Sequence, residues 1–410
     1  MDVVGRPQPV GVFSLPAGYL LIADGGPDVS RARASLVAGR VPAEWPPSLR
    51  GVELAHAGDV AGALEAFSGD GVVDRFNRFV LAPEGVDVAA LRAALPAPIA
   101  PMVDVVAYAV GLTDQVPALG AADGEIAAVV LGARASADLA DGAVPAAVDG
   151  LRAAADAVGN PDTPLAALLL GNAGALAAEH GLDGDQALTD LTHAVGVLTP
   201  TDLTGPRAEL HYQLASALHA AAARGTRPLT AAVHHYYTVL QLIDRESAPA
   251  LWAAAQADLG TAYLTMPMVE ASDQLRTGIA MQCLRAALEV FTREEYPAEW
   301  SAAQLNLANA LVYAPSAHQA DNLVEAVERY EEVLELRTRE DDPLGRARLL
   351  ANQGNALAHL GVFDHAKAKL YEARYLFEES GDHQAVMTVR SVLDEIAKRV
   401  VPTPERVSAP

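Results

Sequence analysis

Lysine is almost missing from this chain: Lys367, Lys369 and Lys398 are the only three among 410 residues. With arginine included there are 29 basic side chains against 52 acidic ones, a formal charge of −23. A surface of that sign repels phosphate backbones and anionic lipid headgroups. Nucleic acid and acidic membranes are therefore excluded as main partners, and solubility or basic partners are favoured. Cysteine occurs once, as Cys283, which excludes an internal disulfide and a thiolate metal cluster within one chain. It stands on the apolar face of a helical pattern, where a buried, inert thiol is expected rather than a nucleophile. Aromatic residues are only 5% of the chain and alanine dominates its 51% apolar fraction, which suits closely packed helices better than a β-rich fold.

Other familiar signals are absent as well. No basic stretch precedes an apolar core in MDVVGRPQPV, so no secretion signal is visible. The most membrane-like run, Leu95 to Leu112, is broken by Pro96, Pro98, Pro101 and Asp104 and reads as a buried helical segment. A cytoplasmic location is the expectation. No glycine-rich phosphate loop with a following lysine occurs, and no His-Glu-x-x-His, so a nucleotide switch and a zinc protease are not expected. His211 and His219 lie eight apart, near one helix face, and His234 adjoins His235. No third ligand stands near them in sequence, so ordinary helix-surface histidines are expected, with no metal and no cofactor.

What is present is a repeat. Ala147, Ala187, Ala232, Ala280, Ala326 and Ala366 follow one another at intervals of 40, 45, 48, 46 and 40 residues. Four residues after each stand Leu151, Leu191, Tyr236, Leu284, Tyr330 and Leu370, and seven after stand Ala154, Ala194, Val239, Ala287, Val333 and Ala373. Positions i, i+4 and i+7 form one apolar stripe, so every second helix presents the same face, with a small residue at the crossing. The first helices carry Leu214, Leu259 and Leu307 at their core position, with Gln353 breaking the series. From Ala187, Ala232, Ala280 and Ala326 to those four positions the distance is 27 residues each time, which implies one constant connection. Three of these connections share Arg-Glu-x-x-Pro, at Arg245 to Pro249, Arg293 to Pro297 and Arg339 to Pro343, with proline suited to the first turn of the next helix. Capping and linker geometry explain the carboxylate pair Glu294 and Glu295 better than acid-base catalysis does. Trp252 and Trp300, three residues after two of the prolines, are read as packing residues. Extending the 27-residue step from Ala366 reaches Leu393, which predicts a closing helix over 383–399 within a C-terminal capping segment 381–400. A disordered tail, 401–410, is expected after it.

The first part of the chain differs. Val10 to Leu15 and Tyr19 to Ala23 read as two short strands around a type I turn. A helix over Asp28 to Ala38, capped by Asp28 and stopped by Gly39, is expected next. Residues 1–47 thus read as an N-terminal cap, 48–125 as degenerate helical repeats with helices near 87–95 and 101–112, and 126–380 as regular repeats.

The series Gly354, Leu357, Gly361, Phe363, Ala366, Leu370 and Ala373 resembles the tetratricopeptide repeat (TPR) family, in a long-repeat variant. The resemblance runs over roughly residues 50–380 and is strongest from 206 onward. It implies an all-α, TPR-like α-solenoid, a right-handed superhelix of antiparallel helix pairs whose first helices line a concave surface that holds partner segments.

Beside the first-helix core positions runs a polar series: Gln213 and Ser216, Asp258 and Thr261, Asn306 and Asn309, Asn352 and Asn355. Asparagine is a mediocre interior helix residue, and four of the chain's eight fall here. Two readings follow. The amides hydrogen-bond between adjacent helices or line a solvated wall, or they meet the backbone of a bound peptide, as the resemblance implies. On the second reading Asp258, Thr261, Asn306, Asn309, Asn352 and Asn355, with Arg348 at the edge, form the partner site. The two-carboxylate clamp of some TPR proteins is not expected, because Leu305 and Ala351 flank the asparagines where that clamp needs basic residues. A non-catalytic interaction scaffold or assembly adaptor is the function expected. A regulator sensing a peptide or small molecule is the first alternative, and an enzyme using residues 1–125 the second.

Overall fold

The computed structural model describes residues 8–9, 12–13, 17–267, 274–314 and 318–400. The expected tail, 401–410, lies outside them. The chain forms two compact units, Met1–Ile243 and Asp244–Pro410. The fold is all-α, with nineteen α-helices and one two-stranded ladder among the described residues, and its regular part consists of TPR-like helix pairs.

In the first unit β1 (Gln8–Pro9) pairs antiparallel with β2 (Leu21–Ile22), setting Pro9 opposite Leu21. The hairpin expected from the sequence is therefore present, but its first strand falls earlier than Val10 to Leu15. Val12 and Phe13 instead bend into the core, where both are buried, and Ala17–Tyr19 forms a single 3-10 turn. Proline at position 9 has no N–H for a ladder. The N–H and carbonyl of Leu21 go to the side chain of Asn77 instead. Next comes α1 (Pro27–Val37), one residue earlier than expected. Gly26 is its N-cap and Pro27, with φ preset by its ring, takes the first position. Asp28 consequently sits inside the first turn, paired with Arg31, and is not the cap. Then follow α2 (Arg50–His56), α3 (Val60–Ala66), α4 (Val72–Leu81), α5 (Val88–Ala94) and α6 (Pro101–Ala109). Asp59 and Asp87 cap α3 and α5, accepting from Gly62 N at 2.9 Å and Ala90 N at 3.0 Å. Leu20, Leu21 and Ile22 share one core with Phe76, Phe79, Met102 and Val103.

The regular pairs of this unit are α7 (Gly124–Ala140) with α8 (Val144–Val158), α9 (Pro164–Glu179) with α10 (Gly184–Leu198), and α11 (Thr204–Ala223) with α12 (Leu229–Leu242). In the second unit they are α13 (Pro249–Thr265) with α14 (Gln274–Leu288), α15 (Pro297–Tyr313) with α16 (Gln319–Leu334), and α17 (Pro343–His359) with α18 (Phe363–Glu379). A last helix, α19 (His383–Val400), packs on α18 and α17. No described helix is long and apolar enough to cross a membrane.

All six crossing alanines are fully buried, as are Leu191, Tyr236, Leu284, Tyr330 and Leu370 four residues on, with Leu151 half-buried. The reason for a small partner shows at Gly174: a methyl added there would lie 2.7 Å from the carbonyl oxygen of Ala187. Pro249, Pro297 and Pro343 each open a first helix. The arginine of each shared linker reaches one repeat ahead. Arg245 pairs with Glu289, Arg293 with Glu335 at 2.8 Å and Arg339 with Glu379 at 2.7 Å, so each linker is tied to the end of the following second helix. These pairs are exposed and screened by water, so they add little to stability.

Candidate functional site

Within the second unit α13, α15 and α17 lie side by side and carry the polar series on their adjoining flanks. The helical period places Asp258 and Thr261, Asn306 and Asn309, and Asn352 and Asn355 at matching levels on successive first helices, and all six are half-buried.

The amides bridge the helices. Thr261 donates its hydroxyl to the Ala257 carbonyl at 2.9 Å, so its oxygen is left to accept, and the Nδ2 of Asn306 donates to it at 3.0 Å. Asn309 Oδ1 accepts twice, from the hydroxyl of Tyr330 on α16 at 2.7 Å and from Nδ2 of Asn352 on α17 at 3.1 Å. Asn355 Nδ2 donates to the hydroxyl of Tyr313 at 3.3 Å. Interhelical bonding, the first of the two sequence readings, is thus what these side chains do. Each keeps capacity in reserve: among the described residues Asn306 Oδ1, Asn352 Oδ1, Asn355 Oδ1 and Asn309 Nδ2 have no partner.

Two tyrosines belong to this strip. Tyr330 is buried, which pushes its phenol pKa well up, with Tyr313 adding to the effect, so it stays a neutral donor to Asn309. Tyr313 is 69% exposed, a large aromatic face beside Asn355. The sequence did hold a signal for it, since Tyr313 stands four residues after Asn309 on the same stripe. Arg348 is exposed on α17, one turn before Asn352, and makes no ion pair among the described residues. Gln353, which interrupts the leucine series, is 1% exposed and donates through Nε2 to Glu331 Oε2 at 2.6 Å. That bond, with a second from Lys369 at 2.9 Å, holds the Glu331 carboxyl below its ordinary pKa. The Gln353–Glu331 bond ties α17 to α16. Between α17 and α19, Asn355, His359, Glu395 and Arg399 border a cavity of about 30 Å³, room for little more than one water.

The histidines fall elsewhere. His211 and His219, on α11, meet His235 and Tyr236 of α12 in the first unit. Cys283 is buried in α14, and burial pushes its thiol up to about 11.

No protein-family model and no curated protein sequence matches the chain. Two solved structures are similar to it over 86% of its length and 97% of their own, each at 11% sequence identity. They are a Rap protein complexed with competence and sporulation factor, with a TM-score of 0.44, and the apo form of RapI, with a TM-score of 0.46.

Proposed function

We propose that the chain is a non-catalytic interaction scaffold or adaptor that holds an extended segment of a partner protein along the amide strip of α13, α15 and α17. The observation that carries this reading is the unspent hydrogen-bonding capacity of Asn306 and Asn309 on α15 and of Asn352 and Asn355 on α17, at matching levels on two neighbouring helices. A polypeptide backbone presents donors and acceptors at regular intervals, and a row of side-chain amides meets both. Tyr313 offers an apolar platform beside the row. Asp258 and Arg348 place opposite charges on its outer helices, which would set the direction of a bound segment. The acidic surface as a whole favours a basic partner.

Site-specific photo-crosslinking tests the reading. Ala302 is exposed, on the stripe of Asn306 and Asn309, while Val324 is exposed on α16. A crosslinking residue at 302 in the full chain is expected to capture one partner from the producing cell. The same residue at 324 is expected to capture none. Capture at 324 and not at 302 would place binding on the second helices and overturn the proposal.

A further inference from the structure

Four of the chain's eleven histidines lie on the helix pair that ends the first unit: His211 and His219 on α11, His234 and His235 on α12. The Nδ1 atoms of His211 and His235 are 2.9 Å apart, with the two rings inclined at 35°. A gap of that size between imidazole nitrogens accommodates one hydrogen, donated by one ring and accepted by the lone pair of the other. Two neutral rings satisfy it. So does one neutral ring with one imidazolium whose extra proton sits on Nε2. Two imidazolium rings cannot, because each Nδ1 would then carry a hydrogen.

The surroundings make added protons unwelcome. Arg207 stands one turn before His211 on α11, and the His234 ring is 5.4 Å from that of His235 on α12. His219 contacts the Tyr236 hydroxyl at 3.4 Å. Of the carboxylates on the neighbouring segments, Glu209 of α11 and Glu179 of α9 are exposed, and two others are held elsewhere. Asp190 of α10 is held by Arg152 and Gln186, and Asp202 accepts from Val41 N. Glu179 of α9 lies in the cleft with Tyr212, Gln213 and Ser216. The charges acting on the pair are those of Arg207, His234 and the two rings themselves, all potential cations. With no third ligand among the described residues and a guanidinium alongside, the pair is not a metal site either.

We propose that the His211–His235 contact is a proton-sensitive latch, which ties α12 to α11 while at least one ring is neutral and lets the helix pair loosen in acid when both become charged. The pKa directions agree. Burial first, then His235, Arg207 and His234, bring His211 down to about 4, and burial followed by His234 lowers His235. A lowered value in the closed state means that the open state takes up protons first. The stabilisation is complete above the ordinary histidine value of about 6.5 and is lost as pH falls from there towards 4.

Hydrogen exchange on the full chain between pH 7.5 and 5.0, corrected for the intrinsic pH dependence of exchange, reads the latch. The pair α7 and α8 contains no histidine and serves as the internal reference. Protection of α11 and α12 relative to that reference is expected to fall by about tenfold or more in acid. In the double variant His211→Asn with His235→Asn, whose amides can still bond but do not titrate, that ratio should stay constant. Equal pH profiles in the wild type and the variant would overturn the proposal. Should the variant fail to fold, NMR titration of the wild-type rings decides: ordinary pKa values for both histidines would overturn it equally.

Discussion

The carboxamide of Asn77 closes both backbone groups of Leu21, 56 residues earlier: Oδ1 accepts the Leu21 N–H at 2.8 Å and Nδ2 donates to the Leu21 carbonyl at 2.9 Å. Both residues are 1% exposed, so no water can replace either bond. A helical side chain thus does for the N-terminal hairpin what a third strand would do.

Asn77→Ala strands a buried donor and a buried acceptor. At about 1 to 3 kcal/mol for each unsatisfied group, the variant should lose about 2 to 6 kcal/mol of stability, although alanine is the better helix former. Urea denaturation of the full chain measures this. A loss within about 0.5 kcal/mol, the range of ordinary surface substitutions, would mean that the clamp is dispensable.

How much of this was legible in the sequence depended on whether a signal was periodic. The crossing alanines and their i+4 and i+7 partners declared themselves because one stripe recurs and the linker between repeats has a constant length. The closing helix followed by extending that step. The strand register did not, because Leu21 takes its partner from Asn77, far along the chain. The α4 sequence VVDRFNRFVL does carry an apolar stripe at Val72, Phe76, Phe79 and Val80, a helix signal that the repeat pattern overshadowed. For the polar series, spacing placed the asparagines on one flank, but only coordinates show which atoms are spent between helices. The linker arginines were visible as a motif, whereas their glutamates lie a full repeat ahead.

Gly174 meets the Ala187 backbone at the crossing of α9 and α10. In Gly174→Ala the new methyl would be 2.7 Å from a carbonyl oxygen and 3.0 Å from the Asp190 Cβ. The helices must separate, at a cost of about 1 to 3 kcal/mol, which exceeds the gain of about 1 kcal/mol in helix propensity. Thermal unfolding should show a lower melting temperature. A higher one would mean that the crossing has room for a methyl.

Cys283 should resist alkylation in the folded chain. With its pKa raised to about 11 by burial, very little thiolate is present at pH 8, whereas an unfolded thiol near 8.5 is substantially ionised. Iodoacetamide labelling followed by mass spectrometry is expected to be about a hundredfold slower without denaturant than with it. Equal rates would show that the α14 face opens freely.

Asn309 and Asn355 differ in what they hold, and that difference selects the substitution that tests the amide strip as a binding site. Asn309→Ala is unsuitable, because it would strand the hydroxyl of buried Tyr330 and cost stability as well as binding. Asn355 gives its hydrogen bond only to the exposed hydroxyl of Tyr313, so Asn355→Ala should leave the fold nearly unchanged. The decisive measurement is the dissociation constant of the partner captured through position 302, determined by calorimetry for the wild type and for Asn355→Ala, with melting temperatures alongside. Losing one hydrogen bond from a desolvated contact, worth about 1 to 3 kcal/mol, predicts a dissociation constant about 5 to 150 times larger at an unaltered melting temperature. An unchanged dissociation constant would contradict the claim that the amide strip is where the partner binds.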